Sequence, residues 1–190
     1  MIVQRNKNMN EEVSCLVFDT NIFLKGLEFN LIPGTIYTTP QIIEEIKVNK
    51  FKDKNRNILN RIQAAIEYKK LIIKSPLEKY VKIVEIKAKK TGDFNVLSDA
   101  DKYLIALAVE LIDTKKQNVI LFSNDYSVEN VCSELNITYS PLYKEGIKTK
   151  IIWEVFCSFC QKTFKAEDLK KRCEICGSIL KRRPKNKELY

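Results

Sequence analysis

The chain has 190 residues, 45% of them hydrophobic and 30% charged, which suits one ordinary core of about 150 residues plus an appendage and argues against disorder. Its formal charge is +9, it holds no histidine and only five glycines, and charges interrupt every long apolar run. Those features argue against histidine-based catalysis, against a glycine-rich nucleotide loop and against a transmembrane helix.

In chain order, the first twelve residues are polar and have no apolar signal core, so a cytoplasmic location is expected and this stretch is read as flexible. Cys15 and Cys132 then read as buried free thiols. Residues 14–18, SCLVF, predict a buried strand ending at Asp19, with a short helix from Thr20–Asn21. A second strand is expected over 35–38, and Thr39-Pro40 opens a helix as N-cap and first-turn proline. Ile58, Leu59, Ile62, Ala65 and Ile66 place a helix over 54–69, followed by a short strand at 71–74. Ser75-Pro-Leu-Glu78 has the form of a capping box for a helix running to 88. Ser98-Asp-Ala-Asp101 has the same form and precedes a strongly apolar helix containing Leu104, Ile105, Leu107, Ala108 and Leu111. Val119–Phe122 is expected as a strand with Asp125 just beyond it, 127–135 as a helix and 137–139 as a last strand. Short apolar strands alternating with helices predict an α/β fold with a five-stranded parallel sheet and helices on both faces. Ligand sites in such sheets lie at the carboxyl ends of the strands.

A different plan begins near residue 147. Cys157, Cys160, Cys173 and Cys176 form two C-x-x-C pairs twelve residues apart, a spacing that matches a tetrahedral site for one structural Zn²⁺. A module this short cannot bury enough core alone, so the metal would supply folding energy. Disulfides, a redox pair or an iron centre are the alternatives, and neither a secretory leader nor a βα context supports the first two. Phe159, Phe164, Ile175 and Ile179 are expected to cover the site, with strands over 151–156 and 179–180. The expected division is therefore a first domain over 1–146, a zinc ribbon over 147–182 and a mobile basic tail over 183–190. Residues 147–190 carry 12 Lys or Arg against 5 acids, whereas 1–146 carry 21 against 19. The basic surplus thus belongs to the cysteine module, as a phosphate backbone would require and as solubility alone would also allow.

Four carboxylates fall where a parallel sheet would gather them: Asp19 after the first strand, Asp125 after the fourth, Asp101 in a helix first turn, and Glu44 or Glu45 early in the helix opened by Pro40. Converging there, they would repel one another unless a cation lay between them, and hard oxygen ligands select Mg²⁺ or Mn²⁺. Such an ion activates water and neutralises a scissile phosphate. Asn21 could orient a carboxylate or a metal-bound water, and Ser123 could fix the turn carrying Asp125 or contact phosphate. Each residue also has a plainer use: Asp19, Asp101 and Asp125 as helix caps, Glu44 or Glu45 as a solvated charge, Asn21 and Ser123 in local hydrogen bonds.

The segments VFDTNIFLKG, TTPQIIEEIK, LSDADKYLIALA and LFSNDYSVENV resemble, in order, the four motif regions of PIN-domain nucleases. With the TGD at 91–93 and the ribbon that follows, the chain resembles the archaeal Nob family of endoribonucleases over about residues 13–180. That resemblance implies metal-binding carboxylates at Asp19, Glu45, Asp101 and Asp125, with Asp93 as a fifth, peripheral acid. It implies Mn²⁺ or Mg²⁺ as cofactor, RNA as partner, and maturation of the 3′ end of small-subunit ribosomal RNA within the pre-ribosomal particle by a monomer. The family usually has two aspartates where this chain has Asn124–Asp125. The competing expectations are a non-catalytic RNA- or ribosome-binding assembly factor on the same fold, a toxin-like free ribonuclease, and a DNA-directed nuclease.

Overall fold

The computed structural model describes residues 15–48, 52–115, 118–141 and 149–189; the polar N-terminal stretch and the expected domain boundary near 146–147 lie outside them. Strand β1 (Cys15–Phe18) is buried along its whole length, as its unbroken apolar run requires of a strand covered on both faces. It pairs in parallel with β2 (Thr35–Thr38) on one side and β4 (Val119–Phe122) on the other. Strands β3 (Leu71–Ile73) and β5 (Thr138–Ser140) extend the two edges, giving the order β3-β2-β1-β4-β5 with every pair parallel. The strand order reverses between β1 and β4, which makes the gap at their carboxyl ends the natural crevice of the fold.

The sheet is flanked by α1 (Thr20–Phe23), α2 (Pro40–Val48), α3 (Lys52–Glu67), α4 (Glu78–Thr91), α5 (Asp99–Lys115) and α6 (Tyr126–Glu134). Helix α5 is apolar around most of its circumference because it packs against β1, β4, α2 and α4 together; Leu104, Ile105, Leu107 and Leu111 have no exposed surface. Its expected start is realised: the Ser98 hydroxyl accepts from the Asp101 amide at 3.1 Å, and the Asp101 carboxylate accepts from the Ser98 amide at 2.8 Å. The box expected at Ser75–Glu78 does not form. The N-cap of α4 is Leu77, without a side-chain cap, and its N–H donates to the buried Glu110 carboxylate at 2.7 Å. A tertiary acceptor from α5 has replaced the local one. Cys15 and Cys132 are both buried and unbridged, and burial pushes the Cys132 thiol well above the ordinary range. Among the described residues no helix is long and apolar enough to cross a membrane.

A second, antiparallel sheet follows, with the order β7-β6-β8: β6 (Thr149–Cys157), β7 (Thr163–Phe164) and β8 (Leu180–Leu189). Residues 183–189, read from sequence as part of a mobile tail, are strand: β8 pairs with β6 from Cys157↔Leu180 to Thr149↔Leu189, with a register shift at Ile152/Trp153 where Pro184 enters. Charge and a proline made this stretch look unstructured, but an edge strand tolerates both.

Truncating Leu104 to Ala should cost about 2–5 kcal/mol, since the void lies in the tightest part of the core. The same change at Leu31, which is 82% exposed, should shift stability by no more than about 0.5 kcal/mol. Urea titration followed by circular dichroism checks both.

Candidate functional site

The pairing of β1 with β4 sets Phe18 opposite Phe122, and the Asp19 N–H donates to the Phe122 carbonyl at 3.2 Å. Asp19 and Ser123 therefore leave adjacent strands at the same level, and the Ser123 hydroxyl donates to Asp19 Oδ2 at 2.7 Å. Asn21 Nδ2 reaches the same oxygen at 3.3 Å, and the Thr20 N–H donates to Oδ1 at 2.6 Å. The carboxylate is thus held in one orientation, with only 4% of the residue's surface exposed. Burial is the main reason its pKa rises to about 6; the Ser123 hydroxyl and the Thr20 amide oppose that rise, and the Asp101 and Glu45 charges add to it.

The other three carboxylates approach from separate elements. Glu45, on α2, accepts from the Thr20 hydroxyl at 2.6 Å, so it lies next to Asp19. Its neighbour Glu44 points elsewhere, to an exposed ion pair with Lys47 at 2.7 Å. Asp101, in the first turn of α5, has its pKa raised chiefly by burial; bonds from Ser98 oppose the shift, and the Asp125 and Glu45 charges reinforce it. Asp125 caps α6, accepting from the Ser127 N–H at 2.7 Å, while its own N–H donates to the Ser123 hydroxyl at 3.1 Å. Ser123 thereby ties the two strand-end aspartates together. The capping uses weighed as alternatives for Asp19, Asp101 and Asp125 are therefore real, and they coexist with the convergence.

Among the described residues none of the four carboxylates takes part in an ion pair. Four acids at one sheet edge with no lysine or arginine among them form a hard, all-oxygen donor set whose repulsion a divalent cation would relieve. The chemistry of these acids suits such an ion, whereas among the described residues the group whose ligand atoms already close on one point is the cysteine cluster. Two neighbours escaped the sequence reading. Thr20 holds Glu45, and the buried Thr38 hydroxyl donates to the Phe18 carbonyl at 2.9 Å just before Asp19. A hydroxyl directly after Asp19 was the available signal for the first; nothing local marked the second. Asp93, implied as a fifth acid, has another use, pairing with Arg182 at 2.9 Å.

The second metal-type site is the cysteine cluster, where the ligand atoms of Cys157, Cys160, Cys173 and Cys176 all lie within 4.8 Å of one another. Sγ atoms of Cys157 and Cys176 are 3.3 Å apart and those of Cys160 and Cys173 3.7 Å. A tetrahedron with zinc–sulfur bonds of about 2.3 Å has edges of about 3.8 Å, whereas a disulfide requires roughly 2.0 Å. The two loops have the same form. The first cysteine of each donates its N–H to the carbonyl five residues on, Lys162 at 2.9 Å and Ser178 at 2.7 Å. Its carbonyl accepts from the amide four residues on, Gln161 at 3.0 Å and Gly177 at 2.8 Å, and both of those residues have positive φ. The crowded thiols share their protons unevenly: hydrogen bonds from Ser178 and the Cys157 thiol draw Cys176 down, while Cys160, against the pull of its Lys162 backbone bond, is pushed up by burial and the neighbouring thiols. Phe159, Ile175 and Ile179 do not cover the cluster as expected: Phe159 and Ile175, inside the two C-x-x-C loops, are turned outward, and Ile179, bridged to Arg172, is exposed as well. Phe164 packs against the cysteines as expected, joined by Val155, Leu180 and Leu169.

Comparison with known proteins places this geometry in a family. The model of the PIN domain of ribonuclease matches residues 16–111, which span Asp19, Glu45 and Asp101. The chain is 35% identical over 167 residues to Endoribonuclease Nob1 of Methanocaldococcus jannaschii, covering 88% of this chain and 76% of that protein. It is 35% identical over 170 residues to Endoribonuclease Nob1 of Pyrococcus abyssi, covering 90% and 94%. It is also 34% identical over 166 residues to Ribonuclease VapC1 of Thermoplasma acidophilum, covering 87% and 76%.

The purified chain should carry about one zinc, released by a strong chelator or by unfolding, and Cys173→Ser should abolish its retention. Elemental analysis checks this; iron in place of zinc, or no metal, is the contrary result.

Proposed function

The chain belongs to the PIN-domain ribonuclease family that includes the Nob1 endoribonucleases, and on that premise we propose that it hydrolyses an RNA phosphodiester to mature the 3′ end of small-subunit ribosomal RNA. The observation that carries the reading is the set of four carboxylates at the sheet's crevice, none of which has an ion-pair partner among the described residues. Asp19, Glu45, Asp101 and Asp125 would hold Mg²⁺ or Mn²⁺, which when bound polarises water and neutralises charge on the scissile phosphate. Ser123, Asn21 and the Thr20 amide keep the Asp19 carboxylate aimed, so its orientation does not have to be recovered at each turnover. Thr20 does the same for Glu45, and Ser98 for Asp101.

No histidine pair exists to drive attack by the neighbouring 2′-hydroxyl. External water is therefore the nucleophile, and the products carry a 5′-phosphate and a 3′-hydroxyl. The cysteine module holds one structural Zn²⁺ and presents the chain's basic surplus to the RNA backbone, within a pre-ribosomal particle in the cytoplasm and as a monomer. Lys181 and Arg183 lie on β8, so part of that charge is carried on a strand of fixed register.

Asp19→Asn should leave the fold intact, because size and shape are conserved. Loss of about 3 kcal/mol of transition-state stabilisation should slow cleavage about 100-fold or more. The measurement is cleavage of an RNA spanning the mature 3′ end, in Mn²⁺, in Mg²⁺ and in EDTA. Full activity in EDTA, or of folded Asp19→Asn protein, would defeat the metal-site reading. Products ending in 2′,3′-cyclic phosphate would keep a ribonuclease and remove this mechanism. Tight RNA binding without cleavage by the wild-type chain would favour the non-catalytic assembly factor.

A further inference from the structure

The boundary between the two sheets is built differently from a tether between independent modules. Asp93, at the turn after α4, is fully buried, and its Oδ1 accepts from Arg182 of β8 at 2.9 Å. Its Oδ2 accepts from Asn130 of α6 at 2.6 Å. Asn130, also fully buried, treats β6 as a neighbouring strand would: Nδ2 donates to the Ile151 carbonyl at 2.9 Å, and Oδ1 accepts from the Ile151 N–H at 3.1 Å. The Arg182 guanidinium carbon lies over the Trp153 ring, 4.3 Å from its centre. Gly92 packs against that residue so closely that a Cβ would meet the Trp153 carbonyl oxygen at 2.5 Å. Two outer contacts flank the joint, Lys89 with Glu167 at 2.7 Å and the Asn95 side chain to the Ala166 carbonyl at 2.8 Å.

A buried carboxylate is costly unless paired and hydrogen-bonded, and removing one partner is worse than never having had the pair. A joint that only kept two modules from drifting apart would need no such group. Directional bonds from α6 and β8 to one carboxylate, together with side-chain pairing to the Ile151 backbone, specify one relative placement of the two units. That placement is referred directly to the acidic cluster. Asp125 is the N-cap of α6 and Asn130 is five residues further on, about 7–8 Å along the helix axis.

We propose that Asn130, Asp93 and Arg182 form a ruler. They are positioning residues that hold the basic ribbon at a set distance from the carboxylate cluster, so that RNA gripped by the ribbon is cut at one phosphodiester. The inference rests on the nuclease reading above and adds what selects the bond. None of the three residues touches the reacting phosphate; they act through the rigid placement of β6 and β8 against α6.

The test pairs a docking readout with two RNA substrates. Trp153 is the chain's single tryptophan, so its fluorescence reports the joint without reference to activity. The Asp93→Ala/Arg182→Ala double variant removes both charges together, so neither charge is left unpaired, at the cost of one Asn130 N–H that loses its acceptor. It should keep the far-UV circular dichroism of the wild type and shift Trp153 emission to the red. On a short single-stranded RNA that reaches only the carboxylate cluster, its single-turnover rate should change by less than about threefold. On a long RNA that spans both units, the single dominant cut of the wild type should spread over several neighbouring phosphodiesters, with KM raised more than kcat is lowered. Asn130→Ser carries the same readouts if the double variant does not fold.

An unchanged Trp153 spectrum in folded variant protein would overturn the clasp. A red shift with an unchanged single cut would overturn the ruler alone. Failure of the wild-type chain to cut either RNA would overturn the nuclease reading and the ruler with it, while the fluorescence would still judge the joint.

Discussion

The parallel pairing of β1 with β4 is the contact on which the candidate site depends. It joins residues a hundred positions apart and aligns Phe18 with Phe122, so the next residue of each strand emerges at the same height. Because β2 and β3 continue one side of the sheet and β4 and β5 the other, no further strand crosses the opening at that point. Asp19 and Ser123 meet there, and Ser123 carries the link on to Asp125. Sliding one strand by a residue would turn its side chains to the opposite face and break every one of these bonds. The phenyl rings of Phe18 and Phe122, edge to face with centroids 5.4 Å apart, pack beneath the site and resist such a slip.

That site works against the stability of the fold that builds it. Burial and mutual repulsion both push Asp19 and Asp101 toward the protonated form, and no basic side chain among the described residues relieves them. The chain is not short of cations, with 33 Lys and Arg, and the described ion pairs join them to other acids. Glu110, just as buried, has Lys74 at 2.6 Å, and Glu134 has Lys90 at 2.7 Å. A structural carboxylate in this protein is neutralised by its own chain. The four at the crevice have no such partner among the described residues, which is what sets them apart from the stabilising ion pairs.

The two units divide the work along the same lines. The first supplies an apolar core large enough to keep uncompensated charge in place. The second has a core of only a few side chains around four thiols, and relies on β6 and β8 running antiparallel for nine residue pairs. Its charge lies on that ribbon and not at the crevice, so acid and base are separated in space within one basic protein. The buried Asp93 is where the two plans meet, and its carboxylate again takes its countercharge from the chain itself.

The sequence alone determined the class of fold, because the period of its apolar residues and the caps at Thr39 and Ser98 are local properties. It determined the cysteine site for the same reason, since C-x-x-C spacing sets ligand geometry within a single turn. It also placed Asp19 and Asp125 at strand ends, and so at the working edge of a parallel sheet. Tertiary structure alone decided what depends on contacts distant in sequence. A helix cap for α4 came from Glu110, 33 residues from Leu77, and not from Ser75. Spacing by itself left Glu44 and Glu45 open; the resemblance favoured Glu45, and the Thr20 hydroxyl across 25 residues supplies the physical contact that distinguishes it. The polar stretch after Arg183 became a strand because β6 offered it a partner, and Asp93 was drawn from the acidic set by an arginine 89 residues away. Local signals are written in a window of a few residues, whereas the energy of a buried charge or an edge strand is settled by whichever distant group reaches it first.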